Sequence, residues 1–163
     1  AMPAPMTKEF EKLLLAALPG MRSYAFGLTR NRADGDDLLH DVVVKLIASA
    51  DRFQPGSNFI AWAFTAIRNR FRDGLREVGC RGVHRSCDDI REATPANQED
   101  TVALAELLDC IARLSLEHRD IINLVVGRDI SYATAAAIVG CSVGTVRSRL
   151  ARARMELKAM LQG

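Results

Sequence analysis

Several things are missing from this sequence of 163 residues, and each absence removes a class of function. No apolar run approaches the roughly 20 residues that a membrane-spanning helix needs. The first residues lack the pattern of a secretory leader. We therefore expect a cytoplasmic protein with no membrane partner. The apolar–polar alternation of half-buried strands does not stand out, and there is no internal repeat. No activated nucleophile, glycine-rich phosphate loop or convergent ligand set is evident, so an enzyme is the weakest reading and no cofactor is expected. A strong charge of one sign is lacking too. Twenty-two Lys and Arg oppose twenty Asp and Glu, for a net charge of +2. That is little for a protein that holds DNA unaided, because nonspecific affinity comes from neutralised phosphates.

Cysteine is sparse. Cys110 and Cys141 fall at apolar positions and read as small core residues. Cys80, His84 and Cys87 put three zinc-type ligands within eight residues, but no fourth lies nearby, so a plain linker is expected there and no metal site. In a reducing cytoplasm all four thiols are expected to be free.

What is present is helical. Hydrophobic residues make up 48% of the chain, enough to bury a core. Apolar periodicity predicts a first helix over about 7–29, kinked or split at Pro19-Gly20. A turn over 31–34 precedes a second helix over about 35–50. A third runs over about 58–76. Residues 77–100 show three charge-rich, turn-marked stretches without a period, as a linker would. Further helices are predicted near 101–114, 116–126, 131–139 and 143–161. Residues 1–76 carry eleven bases against eight acids, 77–100 three against six, and 101–163 eight against six. The expected fold is all-α: two small helical domains, 1–76 and 101–163, joined by a flexible acidic linker over 77–100. A near-neutral chain of this kind needs a larger partner to keep it on DNA.

Three segments carry function. In the last helix, Gly140 closes a short helix and Ser142 can cap the next. Val146, Leu150, Ala153 and Leu157 then form one apolar stripe, with Arg147, Arg149, Arg152 and Arg154 outside it. A short helix, a tight turn and a basic amphipathic helix is the layout of a helix-turn-helix, whose second helix enters the major groove. The third helix sets Ile60, Phe64, Ile67, Phe71 and Leu75 on a core stripe, and Trp62, Thr65, Asn69, Arg72 and Arg76 on the opposite face. A ring, an amide and two guanidiniums suit unpaired bases through stacking, hydrogen bonding and phosphate contact. Packing of Trp62 against the first helix is the equal alternative, since large aromatics are mostly buried. On the second helix, Asp37, His40 and Asp41 share a surface about one turn apart. That face is either solvated or a docking face for a basic partner.

Together these segments resemble the extracytoplasmic-function (ECF) group of bacterial RNA polymerase sigma factors. The resemblance covers nearly the whole chain. Asp37-Leu38-Leu39-His40-Asp41 is similar to the family's Asp-Leu-Val-Gln-Asp/Glu helix. Phe53-Gln54-Pro55-Gly56-Ser57-Asn58, running through Trp62 to Asn69, is similar to its next segment. Gly144-Thr145-Val146-Arg147-Ser148-Arg149 matches its recognition helix without a gap. The resemblance implies a region 2 domain followed by a helix-turn-helix region 4 domain. It implies docking of Asp37, Leu38, His40, Asp41 and Lys45 on the clamp helices of the polymerase largest subunit, with the polymerase flap as a further partner. It implies minus-ten contacts by Phe53, Asn58, Trp62, Asn69, Arg72 and Arg76, around a loop that captures a flipped base. It implies minus-thirty-five contacts by Ser142, Thr145, Arg147, Ser148, Arg149 and Arg152.

The loop is closer still to the general stress response sigma factors of alphaproteobacteria, which a small helical anti-sigma factor holds. The expected function is to direct core polymerase to stress-responsive promoters and open the minus-ten region. The rivals are a decoy that sequesters an anti-sigma factor without binding DNA, and a dimeric repressor that binds a palindrome without polymerase.

Overall fold

Thr7 starts the first helix: its hydroxyl accepts the Phe10 N–H at 3.2 Å, satisfying a donor that has no partner within the helix. In the computed structural model, which describes residues 6–81 and 98–163, this helix, α1, runs Lys8–Thr29. It buries Phe10, Leu14, Ala17, Met21, Tyr24 and Leu28, a spacing of three and four that keeps one face inward. Of the two outcomes expected at Pro19, a kink or a split, the split does not occur, and α1 is continuous. Pro19 removes one backbone bond, to the carbonyl of Leu15, but both residues are exposed, so water can take that carbonyl. Burial of Ala17 and Met21 on the other face holds the helix through the gap.

Arg30, at φ 56°, ends α1, and Asn31 at once caps the next helix by accepting the Asp34 N–H at 3.0 Å. Helix α2 therefore spans Arg32–Ala48, starting within the stretch expected as a turn. The close α1–α2 corner depends on Gly35. A Cβ there would lie 3.2 Å from the Phe26 Cα and from the Thr29 Oγ1. Leu38, Val42 and Leu46 face the core. A 3-10 turn, Ala50–Arg52, leads into the loop before α3, Phe59–Arg81.

The core stripe of α3 is the expected one only at Phe64 and Ile67. Phe59, Ala63, Phe64 and Ile67 are buried, whereas Ile60 and Phe71 are half-buried and Leu75 is exposed. From Asn69 to Gly79 the residues of α3 are at least partly exposed, so the periodic apolar pattern runs on past the buried part of the helix. Tyr24 and Phe64 stack with centroids 5.1 Å apart. Gly20 lies beside that ring, where a Cβ would sit 3.5 Å from the Phe64 Cζ, in ordinary van der Waals contact.

The described residues form two compact units, one of α1 to α3. The other comprises α4 (Gln98–Arg113), α5 (Leu116–Val125), the start of α6 (Tyr132–Val139) and α7 (Val143–Gln162). Cys110, Leu114, Ile121, Leu124, Val146, Leu150 and Ala153 are buried in the second unit. No strand occurs among the described residues. Helix α3 reaches five residues past its expected end, and α4 begins three residues early. Glu77 and Val78 can continue a helix, so the composition shift at 77 does not stop it. Residues 82–97, the middle of the expected linker, lie outside the described residues.

Candidate nucleic-acid interface

The first unit presents two surfaces. On α2, Asp37, His40, Asp41 and Lys45 are exposed, as expected of a docking face. Leu38 is not part of it: 8% exposed, it packs in the core. Val44 and Ile47, at 54% and 40% exposure, stand on this surface instead. They escaped the sequence reading because Val42-Val43-Val44 looks like an inward run, and only the helical period separates buried Val42 from outward Val44. Asp41 is also engaged by Arg70 of α3 at 3.4 Å, and Arg70 lies 3.9 Å from Glu77. Only the fold brings these groups together.

The second surface is the loop before α3 and the face that follows it. Phe53 is 9% exposed, with its ring 6.0 Å from Phe10, 5.2 Å from Phe59 and 5.4 Å from Trp62. It anchors the loop from below, and its burial runs against the expectation of a ring open to contact. Above it, the Ser57 N–H and hydroxyl both donate to the Gln54 carbonyl, at 3.1 and 2.6 Å. Gly56 takes φ 84°, the left-handed region that glycine adopts without strain. Asn58 caps α3 by accepting the Ala61 N–H at 3.1 Å, so its amide is spent partly on the helix.

Trp62 lies between the two readings left open for it. It packs edge-on against Phe10 and Phe59 yet is only half-buried, so part of the ring stays accessible. Asn69, Arg72 and Arg76 are exposed further along the same face. Arg76 is 3.8 Å from Asp73, an exposed i,i+3 pair of little energetic weight.

Ahead of α7, Gly140 at φ 77° ends α6, and the Cys141 N–H donates to the Ala136 carbonyl at 3.1 Å. Ser142 accepts the Thr145 N–H at 3.1 Å and so caps α7. Its first task is to start the helix, although its hydroxyl remains exposed. Val146, Leu150, Ala153 and Leu157 are buried, the apolar stripe expected for this helix. Arg147, Ser148 and Arg152 are exposed, and Thr145 is half-buried with its Oγ1 2.9 Å from the Ser142 Oγ.

Two arginines have partners from earlier helices. The Arg147 guanidinium lies over the Tyr132 ring at 5.8 Å, within cation–π range. The Arg149 guanidinium lies 3.8 Å from the Glu117 carboxylate, and its side chain is only 24% exposed. Neither partner is predictable from spacing, since Tyr132 and Glu117 belong to other helices. Nothing in this arrangement joins a nucleophile to a base. Among the described residues no group of three or more His, Cys, Asp and Glu could hold a metal. His84, Cys87 and the Cys80 side chain lie outside the described residues. No helix among those residues is long and apolar enough to cross a membrane.

Comparison with known proteins matches both units. The family model for sigma-70 region 2 fits residues 13–79, and that for sigma-70 region 4 fits residues 104–157. The chain is 37% identical over 160 residues to the ECF RNA polymerase sigma factor EcfG of Rhodopseudomonas palustris, covering 96% of this chain and 87% of the relative. It is 31% identical to the RNA polymerase sigma factor CarQ of Myxococcus xanthus, covering 93% and 88%. Among solved structures, the sigma factor RpoE of Bartonella quintana, in complex with the anti-sigma factor NepR, superposes with a TM-score of 0.84 at 34% identity, covering 96% of this chain and 98% of that one. CnrH, in complex with the cytosolic domain of CnrY, superposes with a TM-score of 0.70 at 26% identity, covering 94% and 87%.

Proposed function

The chain belongs to the sigma-70 family of RNA polymerase sigma factors, in its ECF group, and from that premise we propose how its residues divide the work. A protein of this family directs core polymerase to promoters. Here the region 2 unit, proposed as residues 1–76, uses Asp37, His40, Asp41 and Lys45 on α2 to dock on the clamp helices of the polymerase largest subunit, with Val44 and Ile47 adding apolar area. Asn58, Trp62, Asn69, Arg72 and Arg76 serve the minus-ten strand. The accessible part of Trp62 offers a π-face to an unpaired base, Asn69 a hydrogen-bonding edge, and the two arginines phosphate contacts. Residues 77–100 connect to the region 4 unit, residues 101–163, whose α7 enters the minus-thirty-five major groove with Thr145, Arg147, Ser148 and Arg152 on its outer side.

The observation that carries this reading is the pairing, in one chain, of a face on α3 made of half-buried Trp62 and exposed Asn69, Arg72 and Arg76 with a capped, basic α7 in a second unit. A decoy that only sequesters an anti-sigma factor needs neither face. We place the protein in the cytoplasm with the polymerase, as a specificity factor and not itself an enzyme. We further propose membership of the general stress response subgroup, on the Phe53–Asn58 loop and the likeness to EcfG, and restraint by a small helical anti-sigma factor. RpoE and CnrH, each solved with an anti-sigma factor or a partner's cytosolic domain, support that restraint.

The test is run-off transcription with purified core polymerase on a promoter library, with and without the protein. Discrete transcripts that depend on it, and that fall at least tenfold on Asn69→Ala, are expected. A chain that yields no transcript but binds an anti-sigma factor is the decoy.

A further inference from the structure

The four arginines of α7 are not equivalent. At about 100° per residue, Val146, Leu150, Ala153 and Leu157 cluster around one direction, the buried seam. Ser148 and Met155 point nearly opposite it, with Ala151 and Arg152 to either side. Arg152 stands about 130° from the seam centre, and Arg149 only about 70°. The structure agrees. Arg152 is exposed, whereas the Arg149 side chain is 24% exposed and lies 3.8 Å from Glu117 in the first turn of α5. Glu117 is itself 62% exposed, so Arg149 is the covered member of the pair.

The next residue of α5 repeats the pattern. His118, at 16% side-chain exposure, places its Nδ1 3.0 Å from the Glu156 Oε1, two turns further along α7, though without hydrogen-bond alignment. Consecutive residues of α5 thus meet α7 at two points on the same flank. Arg152 and Arg154 have no such partner among the described residues.

We propose that Arg149 does not read or grip DNA but is a positioning residue. It ties α7 to Glu117 and so sets the angle at which Ser148 and Arg152 meet the groove. This rests on the promoter-binding reading and sharpens it. A guanidinium suits the task because it stays charged and its planar fork can keep a carboxylate while its stem packs along the seam.

The full chain is assayed with core polymerase on a library randomised at the minus-thirty-five element. Sequencing of the transcribed members gives the preferred bases. The ratio of transcription from the preferred and a scrambled element then reports region 4 engagement. Arg149→Ala and Glu117→Gln are each expected to lower this ratio about two- to fivefold, the scale of a part-exposed ion pair. The preferred bases should stay unchanged, and circular dichroism should show full helicity at the assay temperature. Glu117→Arg combined with Arg149→Glu should return the ratio to within about twofold of the wild type. Arg152→Ala, in contrast, should erase a preference at one base pair or flatten the salt dependence by about one unit of log–log slope.

The proposal is overturned if Arg149→Ala itself erases a base preference, if the double exchange is worse than either single change, or if the fall in ratio tracks loss of helix. Wild-type protein that gives no transcript from any library member is a different failure. It removes the promoter-binding reading, and the tie's proposed purpose with it.

Discussion

Trp62 sits on the border between core and site, and its neighbours explain why. Phe10, Phe53 and Phe59 pack against the indole, which stays half-buried. From the sequence, base stacking and burial were equal alternatives, because two of these three rings come from other elements. Phe53 is the instructive case. Its motif position pointed to a base contact, whereas its ring fills the core beneath the loop. Phe53→Ala should therefore destabilise the first unit by roughly 3 kcal/mol, within the range for deleting a buried ring. Trp62 is the sole tryptophan, so its fluorescence during urea unfolding reads this unit alone. An unchanged midpoint would show that Phe53 is not anchoring the loop. Asn69→Ala and Arg72→Ala should shift the same midpoint by no more than about 0.5 kcal/mol, because both side chains are exposed. Their cost should fall on promoter opening.

At the scale of the element, the junction between α6 and α7 was the most legible feature. Ser142 and Gly140 stand where helix-end chemistry requires them, and the apolar stripe of α7 was readable from its period. Ser142→Ala should cost the second unit about 1 kcal/mol, and Gly140→Ala about 1–2 kcal/mol for the left-handed backbone, both read as loss of helicity on heating. Less legible was how neighbouring elements alter a helix. Pro19 reads locally as a break, yet tertiary burial carries α1 through it. Because Pro19 is exposed and helical, Pro19→Ala should stabilise the first unit by about 1–3 kcal/mol. A fall in the urea midpoint would mean that the ring supports the fold. The stripe expected on α3 failed for the complementary reason: periodicity shows which side chains share a face, not where the facing helices stop. Glu117 and Tyr132, partners of the α7 arginines, could not be read from the sequence at all, since only packing brings them to that helix.

For the whole molecule the sparse net charge is the governing fact. At +2 the chain should bind promoter DNA weakly by itself, because few phosphates are neutralised and few counterions released. At physiological salt, about 0.15 M, a footprint is expected only when core polymerase is present, and it should weaken steeply as salt rises. A strong palindromic footprint without polymerase would favour the dimeric repressor. Two units in one chain also give an anti-sigma factor two surfaces to cover. A partner that blocks transcription should thus protect backbone amides of both units from hydrogen exchange.

The most direct measurement is permanganate reactivity of thymines in the minus-ten region of a promoter found by library transcription. Unpaired thymines react, whereas stacked ones are shielded. With core polymerase and this protein together, reactivity is expected over the minus-ten element. It should be absent with either component alone and lost on Asn69→Ala with polymerase binding intact. Reactivity unchanged by Asn69→Ala, or none at any promoter that the complex occupies, would contradict the assignment of strand opening to the exposed face of α3.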